Sequence, residues 1–263
     1  MFGKLLKYEF KSIGKWYFAL NGGIIAIAAL LSFVIKVLAS ENTSESSFNF
    51  TSQLIPLTLI LVFGALIAGS LLATLLIIIN RFNKNIFGRE GYLTMTLPVS
   101  EHHLILSKLL SSFIWSVFNF LILGVATAIL VLPQVQKNQL STMLAEIGKS
   151  APQYFHVIIY AFVYFILSTI AGILSIYLAI SVGQLFSNRR GLKAFVAYFA
   201  IQILLSIIFT LVNTHLLGMD PINTELDITS NYYFLVSSLE MLVQILIYYV
   251  GTHVIIKHKL NLQ

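Results

Sequence analysis

Apolar residues run along this chain in long unbroken stretches, and the charged residues fall between them. No Asp, Glu, Lys or Arg occurs between Glu45 and Arg81, Lys108 and Lys137, Lys149 and Arg189, Lys193 and Asp220, or Glu240 and Lys257. A helix crosses the hydrocarbon core of a bilayer with about 20 mostly apolar residues. Lipid offers the backbone no hydrogen-bond partner, so such a stretch must satisfy its own N–H and C=O groups, as a helix does. The pattern predicts an all-α membrane protein with six spans, at residues 16–38, 54–79, 109–132, 154–186, 194–217 and 233–256. Together they make one transmembrane domain, residues 16–256, followed by a short tail, 257–263. The fourth apolar stretch is longer than one span needs. It tilts, extends past the membrane, or opens with a short interfacial turn. Pro133 marks an exit from the third span into a loop.

Ahead of the first span, Phe2, Leu5, Leu6, Phe10 and Ile13 recur at helical spacing, with Lys4, Lys7, Lys11 and Lys15 on the remaining surface. Residues 1–15 are expected to form an interfacial amphipathic helix, its apolar side in the acyl boundary and its lysines toward anionic headgroups. Trp16 and Tyr17 follow where an aromatic belt belongs. The simple role is a membrane anchor; a contact with a cytoplasmic partner is the alternative.

The basic residues alternate between gaps. Thirteen of the sixteen Lys and Arg lie in the N-terminal segment, the second gap, the fourth gap and the tail; Lys36, Lys137 and Lys149 lie on the other side. By the positive-inside rule both termini are cytoplasmic, which an even number of spans requires. The outer loops, 39–53, 133–153 and 218–232, are too short for a folded extracellular domain. The last is expected to hold a short re-entrant or interfacial helix between Met219 and Asp227. The first apolar run is too long for a signal-peptide core, so no cleaved leader is expected.

Composition agrees. The 263 residues are 58% hydrophobic and 10% charged, with mean hydropathy +0.89, against about 25% charged in soluble domains. The net charge of +6 is explained by basic residues flanking spans rather than by nucleic acid. There is no cysteine, which excludes disulfides, thiol chemistry and cysteine metal sites.

The longest inner loop, residues 80–108, reads NRFNKNIFGREGYLTMTLPVSEHHLILSK. Gly88 and Gly91 bracket Arg89 and Glu90, which suggests a turn. The run Tyr92 to Leu97 leans apolar and stops at Pro98. Ser100 is a good N-cap, and Glu101 sits in a first turn where the helix dipole favours an anion. A helix is expected from Glu101 through Lys108 into the third span. A rigid short helix hinged by Gly91 and Pro98 can carry rigid-body motion from a partner to the spans. Leu93, Met95 and Leu97 suit a groove on that partner, with Arg89 and Glu90 pairing at its rim. The plain alternative is an interfacial loop with solvated charges.

The string Arg89-Glu90-Gly91-Tyr92-Leu93, then Leu97-Pro98-Val99-Ser100 and Lys108, resembles the signature of permeases of the type-2 class of ABC exporters. In that family the segment joins the second and third of six spans. A basic residue often follows the Pro-Val-Ser element; Glu101 stands there in this chain. The span count, inside termini, N-terminal helix and small outer loops match across the chain. The spelling GYLTMTLP is similar to Gram-positive permeases for peptide export and antimicrobial peptide resistance. The resemblance implies that this loop is a coupling helix docking on a separate ATP-binding cassette subunit, through Arg89, Glu90, Gly91, Tyr92, Leu93, Met95, Leu97, Pro98, Ser100 and Glu101. It implies a second permease subunit, identical or related, and a bacterial plasma membrane. ATP and Mg would be held by the partner, with no cofactor in this chain.

Other chemistry is sparse. Gly148-Lys149-Ser150 looks like the end of a phosphate loop, but Met143 stands where its first glycine is needed. ATP hydrolysis and other enzyme activity are therefore not expected of this chain. Neither a His-Glu-x-x-His zinc motif nor a Gly-x-Ser-x-Gly elbow occurs, and metal binding is not expected. Glu240 is the one acid inside a predicted span; such charges mark ion or substrate pathways by default, and an interfacial carboxylate is the simpler role. Neutral polar residues are scattered through the spans, among them Asn21, Thr74, Asn119, Ser168, Thr169, Gln184, Gln202 and Gln244, mostly suited to helix–helix hydrogen bonds of about 1 kcal/mol or less. Asn119, Gln202, Glu240 and Gln244 are the candidate substrate path. Small-residue pairs Gly64–Ala68, Ala65–Gly69, Ser168–Gly172 and Ala171–Ser175 predict close packing of the second and fourth spans, within one subunit by default or at a dimer interface.

The expected activity is export of an amphiphilic molecule, a membrane-active peptide or lipid-like compound. A stand-alone secondary transporter or channel would call for an inverted repeat and intramembrane charges. A non-transporting sensor or assembly component is the other rival.

Overall fold

The computed structural model describes residues 2–41, 50–88, 91, 100–215 and 231–259. Among them there is no strand, and the helices are α1 (Phe2–Glu41), α2 (Phe50–Phe82), α3 (Glu101–Val131), α4 (Lys137–Gln184), α5 (Arg190–His215) and α6 (Asn231–Lys259). A π-helical turn, Asn83–Phe87, follows α2, and a 3-10 turn, Leu132–Gln134, follows α3. Each α-helix contains a stretch long and apolar enough to cross a bilayer: Tyr17–Val37, Ile60–Phe87, Glu101–Gln134, Asn138–Gln184, Arg190–His215 and Tyr232–His258. These match the six charge-poor runs, and the chain is a multi-pass membrane protein.

Three boundaries differ from the sequence expectation. First, residues 1–15 do not make a separate element, because α1 runs on without a break into the first span. Leu5 and Leu6 are partly buried there while Lys7 and Lys11 are exposed. Second, residues 133–153 are mostly helix rather than outer loop. Pro133 does end α3, but α4 starts at Lys137 and continues for 48 residues, with Pro152 inside it. Leu140, Met143, Leu144 and Ile147 carry the helical period through this polar stretch. The proline costs the carbonyl of Gly148 its intrahelical partner, and water can replace it because residues 146–150 are exposed. Of the three forms allowed for the fourth stretch, extension is the outcome: at 1.5 Å per residue α4 is about 72 Å long, against a core of about 30 Å. Third, among the described residues the small-residue face of α2 is not covered from within the chain. Gly64, Ala65, Ala68 and Gly69 are exposed, and a Cβ on either glycine would meet nothing within 4 Å. In α4, Ala171 and Ser175 are buried but Gly172 is not.

The chain divides into two compact units. One comprises Met1–Leu6, Ile78–Phe113 and Tyr154–Gln263. Its core gathers Phe82, Ile86, Ile105, Leu174, Tyr177 and Tyr248. Phe82 stacks on Tyr177 with ring centres 3.8 Å apart, and the Tyr177 hydroxyl hydrogen-bonds to Ser112 Oγ at 2.9 Å. The other unit comprises Lys7–Ile77 and Ile114–Gln153. There Ile24, Ala28, Leu31, Phe63 and Ala126 pack together, and Trp115 meets Tyr17 edge-on at 5.2 Å. A polar seam runs through this second unit. Tyr17 Oη bonds to Thr74 Oγ1 at 2.8 Å, and Asn21 Nδ2 donates to the Tyr17 carbonyl at 2.9 Å.

Glycine is required where α4 meets α5. A Cβ on Gly183 would lie 2.6 Å from the Ala194 Cβ and 2.8 Å from both the Ala194 nitrogen and the Arg190 oxygen. Between the two helices Arg189 holds φ at 51°, a conformation that costs an L-residue roughly 1–2 kcal/mol. Gly183→Ala should therefore destabilise the protein by about 1–3 kcal/mol, read as a lower Tm in detergent. Gly172→Ala, with open space around it, should leave Tm unchanged.

Candidate functional site

Helix α5 is apolar on most of its surface, and only 6% of its most apolar window is buried. Its polar residues nevertheless keep to one stripe: Gln202, Ser206, Thr210 and Asn213 recur at helical spacing. Glu240 and Gln244, one turn apart on α6, stand across from them. With Leu205 and Phe209 these side chains line a cavity of about 270 Å3. A water molecule occupies about 30 Å3 of liquid volume, so the space has room for about nine waters, or for a polar group together with several further atoms. Pockets that engulf a whole drug-sized ligand start at about 300 Å3.

Two acceptors in this cavity have nothing to accept from among the described residues. Glu240 Oε1 and Asn213 Oδ1 are both buried without a hydrogen-bond partner. Leaving a buried polar atom unsatisfied costs about 1–3 kcal/mol, more for a charged group. Neighbouring groups are already engaged or neutral. Gln202 Oε1 accepts from the Tyr248 hydroxyl at 3.4 Å, and among the described residues no Lys, Arg or His lines the space. The cavity is thus rich in acceptors, carries one carboxylate and lacks a resident cation. It can receive a hydrogen-bond donor, and a positively charged one best.

Three of the four candidate path residues, Gln202, Glu240 and Gln244, come together here. The fourth, Asn119, lies elsewhere. It is buried in the seam of the other unit, where its Nδ2 donates to Ser70 Oγ at 3.0 Å and to Asn21 Oδ1 at 3.4 Å. Ser206, Thr210 and Asn213 were not picked out from the sequence. The signal was present in their register with Gln202, a polar stripe on an otherwise apolar helix.

The loop before α3 is described at its two ends. After the π-helical turn, the Gly88 amide donates to the Asn83 carbonyl at 3.0 Å, and the Gly91 amide donates to the Gly88 carbonyl at 2.8 Å. The second bond joins the two glycines that bracket the expected turn. A Cβ on Gly88 would stand 2.7 Å from the Lys84 oxygen, so this close approach needs glycine. Arg89, Glu90, Tyr92, Leu93, Met95, Leu97 and Pro98 lie outside the described residues, as do 218–230 with Met219 to Asp227. Ser100 takes the N-cap position: its carbonyl accepts from the amides of His103 and Leu104 at 3.0 and 3.3 Å. Its hydroxyl bonds to His103 Nδ1 at 2.5 Å rather than to a backbone amide.

Just past this cap the start of α3 is tied to α6. Glu101 Oε2 lies 3.3 Å from His253 Nε2. His102 Nδ1 bonds to the Tyr249 hydroxyl at 2.6 Å, and the His102 and His253 rings stack 4.1 Å apart. From His253 back to Glu240 is thirteen residues of continuous helix, about 20 Å. One rigid rod therefore links the end of the loop to the cavity. No group of three or more His, Asp or Glu among the described residues is placed to hold a metal ion.

The chain has no native cysteine, so single introduced thiols report cleanly. Ser206→Cys and Thr210→Cys should react with a small charged thiol reagent roughly tenfold or more faster than Ile203→Cys, because the reactive thiolate forms only where water reaches. Equal rates at the three positions would mean that the cavity is dry.

Compared with models of known families, with characterised proteins and with solved structures, the chain gives no match in any of the three.

Proposed function

We propose that this chain is the membrane-spanning permease subunit of an ATP-driven exporter for an amphiphilic substrate, working with a separate ATP-binding cassette subunit. The observation that carries the reading is the tie between α3 and α6. Glu101 and His102 directly follow the loop that resembles a coupling helix, and they bond to His253 and Tyr249 on the helix that supplies Glu240 and Gln244 to the cavity. In this reading the partner grips the loop around residues 89–101, nucleotide binding moves it, and α6 carries the movement as a rigid body. Two permease subunits complete the path. Both termini face the cytoplasm of a bacterial cell, where the ATP and its Mg are held by the partner. Cargo arrives from the bilayer, which suits a membrane-active peptide or a lipid-like molecule.

One observation favours a second reading. A carboxylate inside a span, with an oxygen that lacks a partner, is the kind of group an ion-coupled carrier uses. In that case the chain would transport alone.

Purification of the tagged chain from its native membrane in mild detergent separates the two readings. The permease reading expects a stoichiometric companion bearing a phosphate-loop motif; a lone chain in several detergents would overturn it. Leu97→Asp or Gly91→Pro should abolish recovery of that companion or uncouple its ATPase by tenfold or more, while the chain still inserts. Full complex and transport in both variants would exclude the loop as the docking element. A C-terminal epitope should be reached by antibody only in permeabilised cells.

A further inference from the structure

We propose that the cavity between α5 and α6 binds the protonated primary amine of a membrane-borne amphiphile. The inference rests on the reading of the chain as a transporter of amphiphiles and names the group by which the substrate is held.

Two features of the cavity select an ammonium. Glu240 Oε1 and Asn213 Oδ1, the acceptors without partners, call for a ligand that brings donors. A carboxylate with no Lys, Arg or His among the described lining residues calls for a ligand that brings positive charge. A primary ammonium supplies three N–H donors and one charge in a volume of a few tens of cubic ångströms, well inside about 270 Å3. A hydroxyl brings donors without the charge, and a quaternary ammonium brings the charge without donors. An anion is excluded by the carboxylate.

The surroundings fix the rest of the molecule. The same helices expose large apolar side chains, among them Ile203, Leu204, Ile207, Leu239 and Leu242. The cavity is too small for a whole drug-sized ligand. The space is open at its side, so the headgroup can sit against the carboxylate while an apolar tail leads out along the helices. The carboxylate and the donor-seeking amide thus read the head, and the bilayer holds the tail.

The test uses the purified full-length chain in phosphatidylcholine nanodiscs, without any partner, with dodecylammonium as the probe and calorimetric titration as the readout. Empty nanodiscs give the background of simple partitioning. The wild-type chain should show saturable binding above that background. Dodecanol and dodecyltrimethylammonium should bind at least about tenfold more weakly, since each lacks one of the two required features. Glu240→Gln should weaken dodecylammonium about tenfold or more, whereas Glu146→Gln, an exposed carboxylate on α4, should not. Asn213→Asp adds a second negative charge at the other orphaned acceptor and should tighten binding. This gain keeps the test decisive if Glu240→Gln folds poorly.

Equal affinity in wild type, Glu240→Gln and Asn213→Asp would overturn the proposal, as would dodecanol binding as well as the amine. Repeating the titration with one third phosphatidylethanolamine tells the source of the amine. Competition by this lipid in wild type identifies an aminated lipid headgroup; unchanged binding identifies another aminated amphiphile, and both outcomes retain the site. The titration needs no ATPase, so its failure leaves the companion experiment untouched, and the absence of a companion leaves the titration untouched.

Discussion

A peptide group in hydrocarbon has only the protein itself to bond to, and the described structure follows from that constraint. The chain meets it with helices that close their own hydrogen bonds. Side-chain hydroxyls meet it in the same way. Ser111, Thr169, Ser181 and Thr252 each donate to a backbone carbonyl three or four residues earlier on their own helix, so they enter apolar surroundings without needing a neighbour. Longer polar side chains reach across instead. Asn119 joins Ser70 and Asn21, and Tyr17 joins Thr74. These bonds hold helices together where apolar contact alone discriminates little, since lipid tails are as apolar as leucine.

Against that background the cavity between α5 and α6 stands out. Its residue types are those of the seam: carboxamides, hydroxyls and one acid. What differs is completion. Asn119 spends its amide on two neighbours, while Asn213 and Glu240 each keep an oxygen with none. In a protein interior such an omission is costly. Trp115 Nε1 in the other unit also lacks a partner among the described residues, but this cavity gathers two such atoms, both acceptors, in one place. The role of a polar residue in a span thus depends less on its type than on whether the protein supplies its partner.

Much of the architecture could be read before the structure. Six charge-poor runs, broken only by Lys36 in the first and Glu240 in the last, give six spans because desolvating a charge in lipid is so unfavourable that sequences largely keep Lys, Arg, Asp and Glu out of them. The Gly88–Gly91 hydrogen bond, the N-cap position of Ser100 and the end of α3 at Pro133 follow from backbone chemistry local to each residue. Residues 133–153 were misread because polarity was taken as loop. Their Leu140, Met143, Leu144 and Ile147 keep a helical period, and a proline in a water-exposed helix is tolerated. The α2 glycines are uncovered within this chain, since small residues permit close approach without compelling it; of the two places expected for them, a subunit interface is the one that a single chain leaves open. The cavity was half legible. Gln202, Glu240 and Gln244 are conspicuous as polar residues in apolar runs, but which residues face one another depends on how α5 and α6 are paired. Asn119 has the same local appearance as Gln202, and only tertiary contacts separate them. The tie between Glu101 and His253 joins residues more than 150 positions apart, and no local pattern announces it.

The length of α4 has a consequence of its own. A helix of 48 residues is more than twice as long as the bilayer core is thick. A stretch long enough to cross that core leaves more than half of its residues with no hydrocarbon to face. Those residues are released from the demand for apolar side chains, and the exposed, mostly polar run over 146–150 uses that freedom.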